Sequence, residues 1–423
     1  LLIHPEGKVV PQLYETAAWL AGMNDDVFKE ITKIEPEILL RGDLTKLKEK
    51  DRKELVSILL TLYEEEKLLY DIWLSGYYRK LFHSSMEEQL KPYLCDKNKN
   101  PAVIKAAINM ARECNLIILQ NELAYIALDK SQTEVIRVEA TRAISQFAKK
   151  GKLDDKVKSK LKILATGQGE DDSFDQLKGY SLMALWPKYM RAEELFKNLT
   201  QPKYKPFLGP YQMFISRGII IHLQETDLPT ALQWLKKQTS EHISDYEFKQ
   251  LSDSIILKTL DYLNNQNIME AFAEFIIDRL KNCHSIIGQD AISKFKSKLD
   301  SGKRRQLVET ILNMLSDLEK ELRKIYADDI VINSDFTWLV EKFKSEKSRE
   351  KQENLAELIY MTFYMGNTGQ IKDILRLSQT SEIIFNKFSI WLKPVDLNSP
   401  EAEKMKENYL WWQKREIKKQ EKP

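Results

Sequence analysis

The sequence predicts an all-α protein built from stacked helical hairpins. Glycine (14 residues) and proline (13 residues) are both scarce in a chain of 423 residues, and a sheet-rich fold needs these residues in its turns. Apolar residues recur every three or four positions over most of the chain, which is the period of an amphipathic helix. Short polar turns separate these periodic stretches. Together the three observations indicate helices paired through tight connections.

The composition excludes several classes of protein. Lys and Arg (65) nearly balance Asp and Glu (63), so the chain as a whole is not expected to bind nucleic acid or an anionic membrane. No apolar stretch approaches the roughly 18 residues that a membrane-spanning helix needs. The three cysteines, Cys95, Cys114 and Cys283, are widely spaced and form no CxxC pair. Free thiols of this kind are typical of a reducing compartment, so we expect a soluble, cytoplasmic protein.

The first well-defined helix begins near position 101. Asn100 is a good N-cap, and Pro101 occupies the first helical position, where its missing N–H has no cost. An apolar stripe follows on one helix face, and Cys114 at its end is expected to be a small core residue. Residues 116–128 are apolar on nearly all sides, which predicts a buried partner helix. The stripe consists of Val103, Ala107, Met110, Ala111 and Cys114.

Further helices are predicted at 133–149, 154–166 and 174–186. Gly151 ends the first of them as a C-cap glycine would, 167–172 form a loop, and Pro187 stops the last helix. Two amphipathic helices per unit are typical of HEAT-like solenoids. The spacing is irregular, since Ala140 lies 33 positions after Ala107 and 44 positions before Ala184. An irregular helical array is therefore the competing interpretation.

The stretch 201–210 contains three prolines and one glycine and must interrupt the helical run. We therefore divide the chain into a helical segment at 1–100, HEAT-like repeats at 101–200 and a C-terminal helical array at 201–423. Short β-branched runs at 219–221 and 330–332 are interpreted as helix ends or loops. Later helices are predicted at 228–237, 246–263, 268–280, 304–326, 336–343, 353–365 and 371–377, and the clearest stripe is Leu307, Ile311, Met314, Leu318, Leu322 and Ile325.

A search for chemical motifs gives no site. The phosphate-loop pattern GxxxxGK[ST] is absent, and the stretch 366–372 has the wrong spacing and is interpreted as a helix-breaking loop. The five histidines are isolated, Cys283 and His284 diverge on a helix, and no GxSxG elbow occurs. The acidic runs 64–66 and 171–172 are interpreted as solvated helix ends or loops. The sequence therefore predicts no catalytic, cofactor-binding or metal-binding residue, and no enzymatic activity in this chain.

One cluster near the C-terminus is a candidate partner-binding site. Aromatic and basic residues mix there, and on a helix they dock a partner, or stack bases, or lie on a membrane surface. The competing interpretation is a terminal helix that packs its tryptophans on the last repeat. A second basic cluster, at 303–305, is interpreted as a helix start. The candidate residues are Trp411, Trp412, Lys414 and Arg415.

Two parts of the chain resemble a known family. The stretch VPQLYETAAWLA at 10–21, followed by NDDVF at 24–28 and EPEILLRGDL at 35–44, resembles the segment just after the nucleotide-binding core of bacterial NACHT/STAND-type NTPases. The stretch LKGYSLMALWP at 177–187, followed by AEELF and LTQP at 192–196 and 199–202, looks like the helical repeats downstream in those proteins. The resemblance covers about half of the chain. Its motifs belong to the scaffold and contain no catalytic residue.

The resemblance implies that an ATP-binding NACHT module precedes the helical array. ATP and Mg²⁺ would belong to that module alone, because its motifs are absent here. In such proteins the array is a sensor and an autoinhibitory arm, many serve in antiviral defence, and the full-length protein can oligomerise. The chain begins at Leu1, so we expect a piece of a longer protein that binds a protein partner or its own NTPase module. The alternatives are a free-standing HEAT-like scaffold and an enzyme with an unrecognised site.

Overall fold

The computed structural model confirms the predicted all-α fold over the residues that it describes. These residues contain no β-strand, and their only extended pairing is an isolated antiparallel bridge between Ile3 and Val9. The described residues are 2–44, 47–68, 75–167, 172–204, 208–238, 246–282, 285–314, 325–326, 329–392, 400, 403–404, 406–407 and 410–411.

The chain forms two compact units, Leu1–Ile256 and Leu257–Pro423. The first unit contains helices α1 to α13, and the division between the units falls within α14. Their bounds are α1 (Tyr14–Ala21), α2 (Asp25–Ile34), α3 (Glu49–Glu64), α4 (Met86–Cys95), α5 (Pro101–Glu113), α6 (Gln120–Leu128), α7 (Glu134–Lys150), α8 (Asp155–Ala165), α9 (Gln176–Leu185), α10 (Ala192–Asn198), α11 (Pro210–Met213), α12 (Ile219–His222), α13 (Leu228–Lys236) and α14 (Tyr246–Thr259).

Within the first unit, the helices from α3 onward form two rows. The first row consists of α3, α5, α7, α9 and α11, and each of these helices packs against the next. The second row consists of α4, α6, α8, α10 and α13, where α8 is linked to α10 by an ion pair of 2.9 Å between Lys162 and Glu194. Tight connections join α4 to α5 and α6 to α7, and both pairs pack as hairpins. This is the stacking expected of a solenoid, in which each repeat contacts its neighbours.

Hydrogen bonds between successive repeats fix this stacking. The N–H of Asp154 donates to Gln120 Oε1 at 2.9 Å across 34 positions, and the N–H of Leu153 donates to the Tyr189 hydroxyl at 3.1 Å across 36 positions. Local signals place the helices themselves, since Asn100 caps α5 as predicted, and Thr133, predicted as the first residue of its helix, is the N-cap of α7. Nearby residues therefore set where these helices begin. The register of one repeat against the next depends instead on contacts between repeats.

The predicted break at 201–210 is present, but it does not separate two units. Helix α10 ends at Asn198 and α11 begins at Pro210, and the first unit continues past both. Gly179 of α9 lies so close to α11 that a Cβ atom there would be 2.4 Å from the backbone nitrogen of Tyr211. The bond between Trp186 and Pro187, where α9 ends as predicted, is cis. The close packing across the proline-rich stretch makes 201–210 an interruption within one unit.

Two local expectations in this unit need correction. The stretch 116–128 was expected to be buried on nearly all sides, but Ile118 and Tyr125 are each 62% exposed, because α6 lies on one side of the array and not inside it. Gly151 does follow the last residue of α7, but its φ of −145° is extended and not left-handed. A Cβ atom at Gly151 would lie 2.6 Å from Ile117 Cδ1. The connection after α7 therefore packs closely against the residues before α6, and this close packing explains why position 151 is a glycine.

The second unit contains the end of α14 and eight further α-helices among the described residues. Leu307 and Ile311 are buried as predicted, whereas Met314 is partly exposed and the predicted positions Leu318 and Leu322 lie outside the described residues. The eight helices are α15 (Gln266–Lys281), α16 (Ile292–Lys298), α17 (Ser301–Met314), α18 (Phe336–Ser345), α19 (Arg349–Thr362), α20 (Thr368–Thr380), α21 (Glu382–Lys387) and α22 (Ser389–Leu392).

The basic cluster at 303–305 does more than start a helix. Asp335 is completely buried and accepts hydrogen bonds from both terminal nitrogens of Arg304, from Arg305 Nε at 3.1 Å and from the N–H of Ile332 at 3.1 Å. The bidentate pair joins the start of α17 to the start of α18. The sequence suggested only a helix start because the partner carboxylate lies 31 positions away.

The β-branched runs form no strands. Ile219–His222 is helical, and Ile330 to Ile332 form a bend before a 3-10 turn, as expected. Across the described part of the chain, no helix combines the length and apolar character that crossing a bilayer requires.

Candidate functional site

The candidate residues at the C-terminus are only partly described. Trp411 is helical and 60% exposed, whereas Trp412, Lys414 and Arg415 lie outside the described residues. Partner docking by this cluster therefore stays a prediction. The structure also describes an open groove in the first unit.

The groove lies on the second row of helices, between α4 and α6. It has a volume of about 470 Å³ and is open to solvent. The loops that follow α4 and α6 form its ends. The lining residues are Leu94, Cys95, Asp96, Lys97, Ile104, Glu122, Tyr125, Ile126, Leu128, Asp129 and Gln132.

Glu122 provides a hydrogen-bond acceptor that is not fully used. It lies in the first turn of α6, where the helix dipole favours a carboxylate, and its Oε1 pairs with Lys91 Nζ at 2.9 Å. This ion pair raises the pKa of Lys91. The second oxygen, Oε2, is buried and accepts no hydrogen bond from any residue that the structure describes. This oxygen has almost no accessible surface, so a ligand in the groove would interact with the negative charge of the Glu122 carboxylate without touching Oε2 itself.

Tyr125 lies at the opening of the groove. Its side chain is exposed, and Lys160 of α8 lies 4.1 Å from the centre of its ring, which is the geometry of a cation–π contact. Because Lys160 belongs to the next repeat, this contact also fixes the ring relative to α8. An exposed, fixed aromatic ring beside an acceptor is typical of a binding surface.

Two equivalent aspartates shape the ends of the groove. Asp96 follows α4 and accepts from the N–H of Asn98 at 3.0 Å. Asp129 follows α6 and accepts from the N–H of Ser131 at 2.9 Å. The side-chain hydrogen bond from Ser131 is the main cause of a lowered pKa for Asp129. The two loops are also joined directly, because Gln132 Nε2 donates to the carbonyl of Lys97 at 3.3 Å. The groove therefore has a defined shape before any ligand binds.

The lining of the groove is mostly acidic and includes one exposed thiol. Three lining side chains are carboxylates and one is a lysine, and Cys95, although exposed, has no histidine beside it among these residues. Elsewhere, Cys114 is a weak nucleophile, because burial raises the pKa of its thiol to about 12. No group of three metal-ligating side chains occurs in the described ranges.

The other motifs considered in the sequence have structural explanations where they are described. In the stretch 366–372, Asn367 caps α20 by accepting from the N–H groups of Gly369 and Gln370. Asp172 is buried and accepts from the N–H groups of Leu177 and Lys178 at 3.0 and 2.9 Å, so it is not a solvated loop residue as expected. Cys283, His284 and Asp171 lie outside the described residues.

No protein-family model matches this chain, and no curated protein matches it significantly. The resemblance to NACHT/STAND-type NTPases therefore stays a prediction, and the geometry of the groove carries the functional argument.

Sequence reasoning missed the groove, although one signal was present. Asp96-Lys97 and Asp129-Lys130 are identical pairs that lie 33 positions apart, the same spacing as between Ala107 and Ala140. A repeated Asp-Lys pair directly after an apolar helix marks equivalent loops in two repeats. The sequence contains no comparable signal that Glu122 and Tyr125 face one space.

Proposed function

We propose that this chain is a non-catalytic interaction module that binds a segment of a partner protein in the groove between α4 and α6. The observation that carries the proposal is the acidic lining of the groove, Asp96, Glu122 and Asp129, with the exposed ring of Tyr125 at its opening. A partner segment can bring both positive charge and apolar area.

An arginine side chain of the partner suits this groove best. Its guanidinium is a planar donor that pairs with carboxylates and lies against aromatic rings. Glu122, Asp96 and Asp129 outnumber the single lining lysine, Lys97. Lys91 pairs with Glu122 and Lys160 lies over the Tyr125 ring, so the carboxylates of Asp96 and Asp129 are the ones left for a basic partner to pair with. Electrostatic complementarity of this kind favours a basic partner and raises the association rate more than the affinity.

The test is the binding of a fluorescent arginine-containing peptide to the chain and to two variants. Glu122→Gln removes the negative charge and keeps the side-chain shape. We therefore expect binding of the cationic peptide to weaken by about tenfold or more, because one attractive charge at the groove is lost. Glu88→Gln is the matched control, because Glu88 is exposed on α4 and does not line the groove. Equal affinity for all three proteins would contradict the proposal.

Thiol labelling gives a second readout of the same binding. Cys95 lines the groove and is exposed, whereas Cys114 has a raised pKa and donates its S–H to the Tyr78 carbonyl. We expect the peptide to slow alkylation of Cys95 and leave Cys114 unchanged, with mass spectrometry distinguishing the two sites. Unslowed alkylation at saturating peptide would place the peptide elsewhere.

We further propose that this module is the C-terminal sensor or autoinhibitory region of a STAND-like NTPase with a role in antiviral defence. The support is the resemblance of residues 10–44 and 177–202 to that family. The decisive observation is the reading frame upstream of the codon for Leu1. A Walker A and Walker B pair is expected there, and a start codon immediately before Leu1 would favour the free-standing scaffold.

A further inference from the structure

Two connections between helices lie side by side on one edge of the first unit. One connection joins α7 to α8 and the other joins α9 to α10. Lys188 Nζ donates to the carbonyl of Gly151 at 3.2 Å, and the N–H of Leu153 donates to the Tyr189 hydroxyl at 3.1 Å. These bonds hold the two connections in contact.

Five lysines gather at these connections, and we call them the lysine edge: Lys149, Lys150, Lys152, Lys158 and Lys188. Lys149 and Lys150 end α7, and Lys152 follows them; all three are exposed and form no ion pair within the part of the chain that the structure describes. Lys158 pairs with Asp155 at 2.5 Å, and the same connection carries Asp154, whose carboxylate accepts a hydrogen bond from Asn121 at 2.8 Å. The five lysines thus face two aspartates. Positive charge is therefore in excess at this edge, although the whole chain is nearly neutral.

Tyr189 holds two of these lysines in place. Lys158 Nζ lies 4.8 Å and Lys188 Nζ 5.1 Å from the centre of its ring. Burial alone would raise the pKa of Tyr189, but hydrogen bonds with Lys188 and Leu153 and the charges of both lysines lower it. With its ring and hydroxyl engaged in this way, Tyr189 is not a free platform on which bases could stack.

The positive charge ends at the neighbouring connections. On one side, Ile117 packs against Gly151, and residues 114–119 include no basic residue. On the other side, Trp186 Nε1 donates to the carbonyl of Ile219 at 3.3 Å. The connection that follows Ile219 carries Glu225 and Asp227. The lysine edge thus spans two connections and borders an acidic one.

We propose that the lysine edge binds an acidic segment of a partner protein, rich in Asp and Glu. Lysine ammonium groups are point charges on flexible stems, so they suit carboxylates presented by an extended segment without a fixed geometry. A nucleic-acid duplex typically makes six to ten phosphate contacts, and one lying along this edge would meet Glu225 and Asp227. The limited extent of the charge therefore favours a short acidic segment over a duplex. This surface is separate from the groove.

The experiment measures binding of a fluorescent oligo-glutamate peptide to the whole chain at low and high ionic strength. We expect binding that weakens as salt rises and that falls by about tenfold or more in the variant Lys149→Glu/Lys150→Glu/Lys152→Glu. The matched control is Lys29→Glu/Lys33→Glu/Lys50→Glu, which changes the net charge equally at exposed lysines in α2 and α3. The control is expected to stay within about twofold of the original affinity.

Several outcomes would overturn this proposal: no peptide binding by the original chain, equal losses in both triple variants, or tighter binding of a short DNA duplex at the same lysines. Thermal melting confirms that each variant is folded, and Lys149→Gln/Lys150→Gln/Lys152→Gln replaces the charge reversal if that variant unfolds. The Glu122→Gln variant should bind oligo-glutamate normally. Failure of the groove proposal and failure of this one are therefore distinguishable.

Discussion

The ammonium nitrogen of Lys178 lies 2.7 Å from the hydroxyl oxygen of Thr200, at a position where the lysine is only 2% exposed. The Tyr211 ring centre lies 4.6 Å from the same nitrogen. Burial is the main cause that lowers the pKa of Lys178 from 10.5 to about 8, and Lys203 adds to this, while Asp175 and Asp172 oppose it. This contact joins α9 to the residues after α10.

Lys178 makes the stability of the first unit depend on pH. Between pH about 8 and 10.5 the unfolded chain holds the Lys178 proton and the folded chain does not, so this residue's contribution to stability rises with pH. At about 1.4 kcal/mol per pH unit, the full change is about 3 kcal/mol. The measurement is urea unfolding of the original chain and of Lys178→Met across this range, because the variant lacks this titration.

The difference in unfolding free energy, original minus Lys178→Met, is expected to increase from pH 7 to pH 10.5. Taking the difference removes groups that titrate independently of Lys178, such as Cys114, whose thiol pKa is raised chiefly by burial. The control is Lys156→Met, since Lys156 is exposed on α8. A difference that stays constant with pH would show that Lys178 has an ordinary pKa.

In the second unit, Asp335→Ala should be strongly destabilising. The substitution leaves the buried guanidinium of Arg304 without its carboxylate, and breaking a buried pair in this way costs about 3–5 kcal/mol. Chemical unfolding followed by circular dichroism measures the loss. Glu341→Ala in α18 is the control, because Glu341 is exposed; a similar small effect of both changes would mean that the pair contributes little.

Gly179→Ala should destabilise the first unit. A Cβ atom at this position would lie 2.4 Å from the Tyr211 nitrogen and 2.7 Å from the Pro210 carbonyl carbon, and backbone atoms cannot move away as a flexible side chain can. We expect a loss of about 1–3 kcal/mol in thermal unfolding. Gly302→Ala is the comparison, because its nearest neighbour is the Asp300 carboxylate at 3.3 Å. At position 302, helix propensity favours alanine over glycine. Equal losses of stability at positions 179 and 302 would argue against the close approach of α9 to α11 at Gly179.

Replacement by alanine should cost much more stability at one tryptophan than at another. Trp186 is 6% exposed and donates to the Ile219 carbonyl, so Trp186→Ala is expected to cost about 3–5 kcal/mol. Trp411 is 60% exposed, and Trp411→Ala should change stability by less than about 1 kcal/mol. Differential scanning calorimetry compares them. A large loss at Trp411 would support the interpretation that the terminal helix packs its tryptophans.

The sequence by itself determined the fold class and most helix positions. Caps such as Asn100, breaks such as Pro187, and apolar stripes such as the one through Ala107 in α5 and the one through Ala140 in α7 each act within one helix, so their signals are local and readable. Helices predicted at 133–149 and 336–343 differ from those observed, Glu134–Lys150 and Phe336–Ser345, by at most two residues at either end. The same local signals could not place a division between units at Ile256.

Tertiary structure alone decided which side chains meet. Glu122 with Lys91, Lys188 with Gly151 and Arg304 with Asp335 are pairs separated by about one repeat, and no pattern within either helix specifies the partner. Burial of Lys178 likewise follows from how closely Gly179 allows α9 to approach α11. Helix formation depends on neighbours along the chain, whereas the groove, the lysine edge and the buried charges depend on the register between repeats, which long-range packing sets.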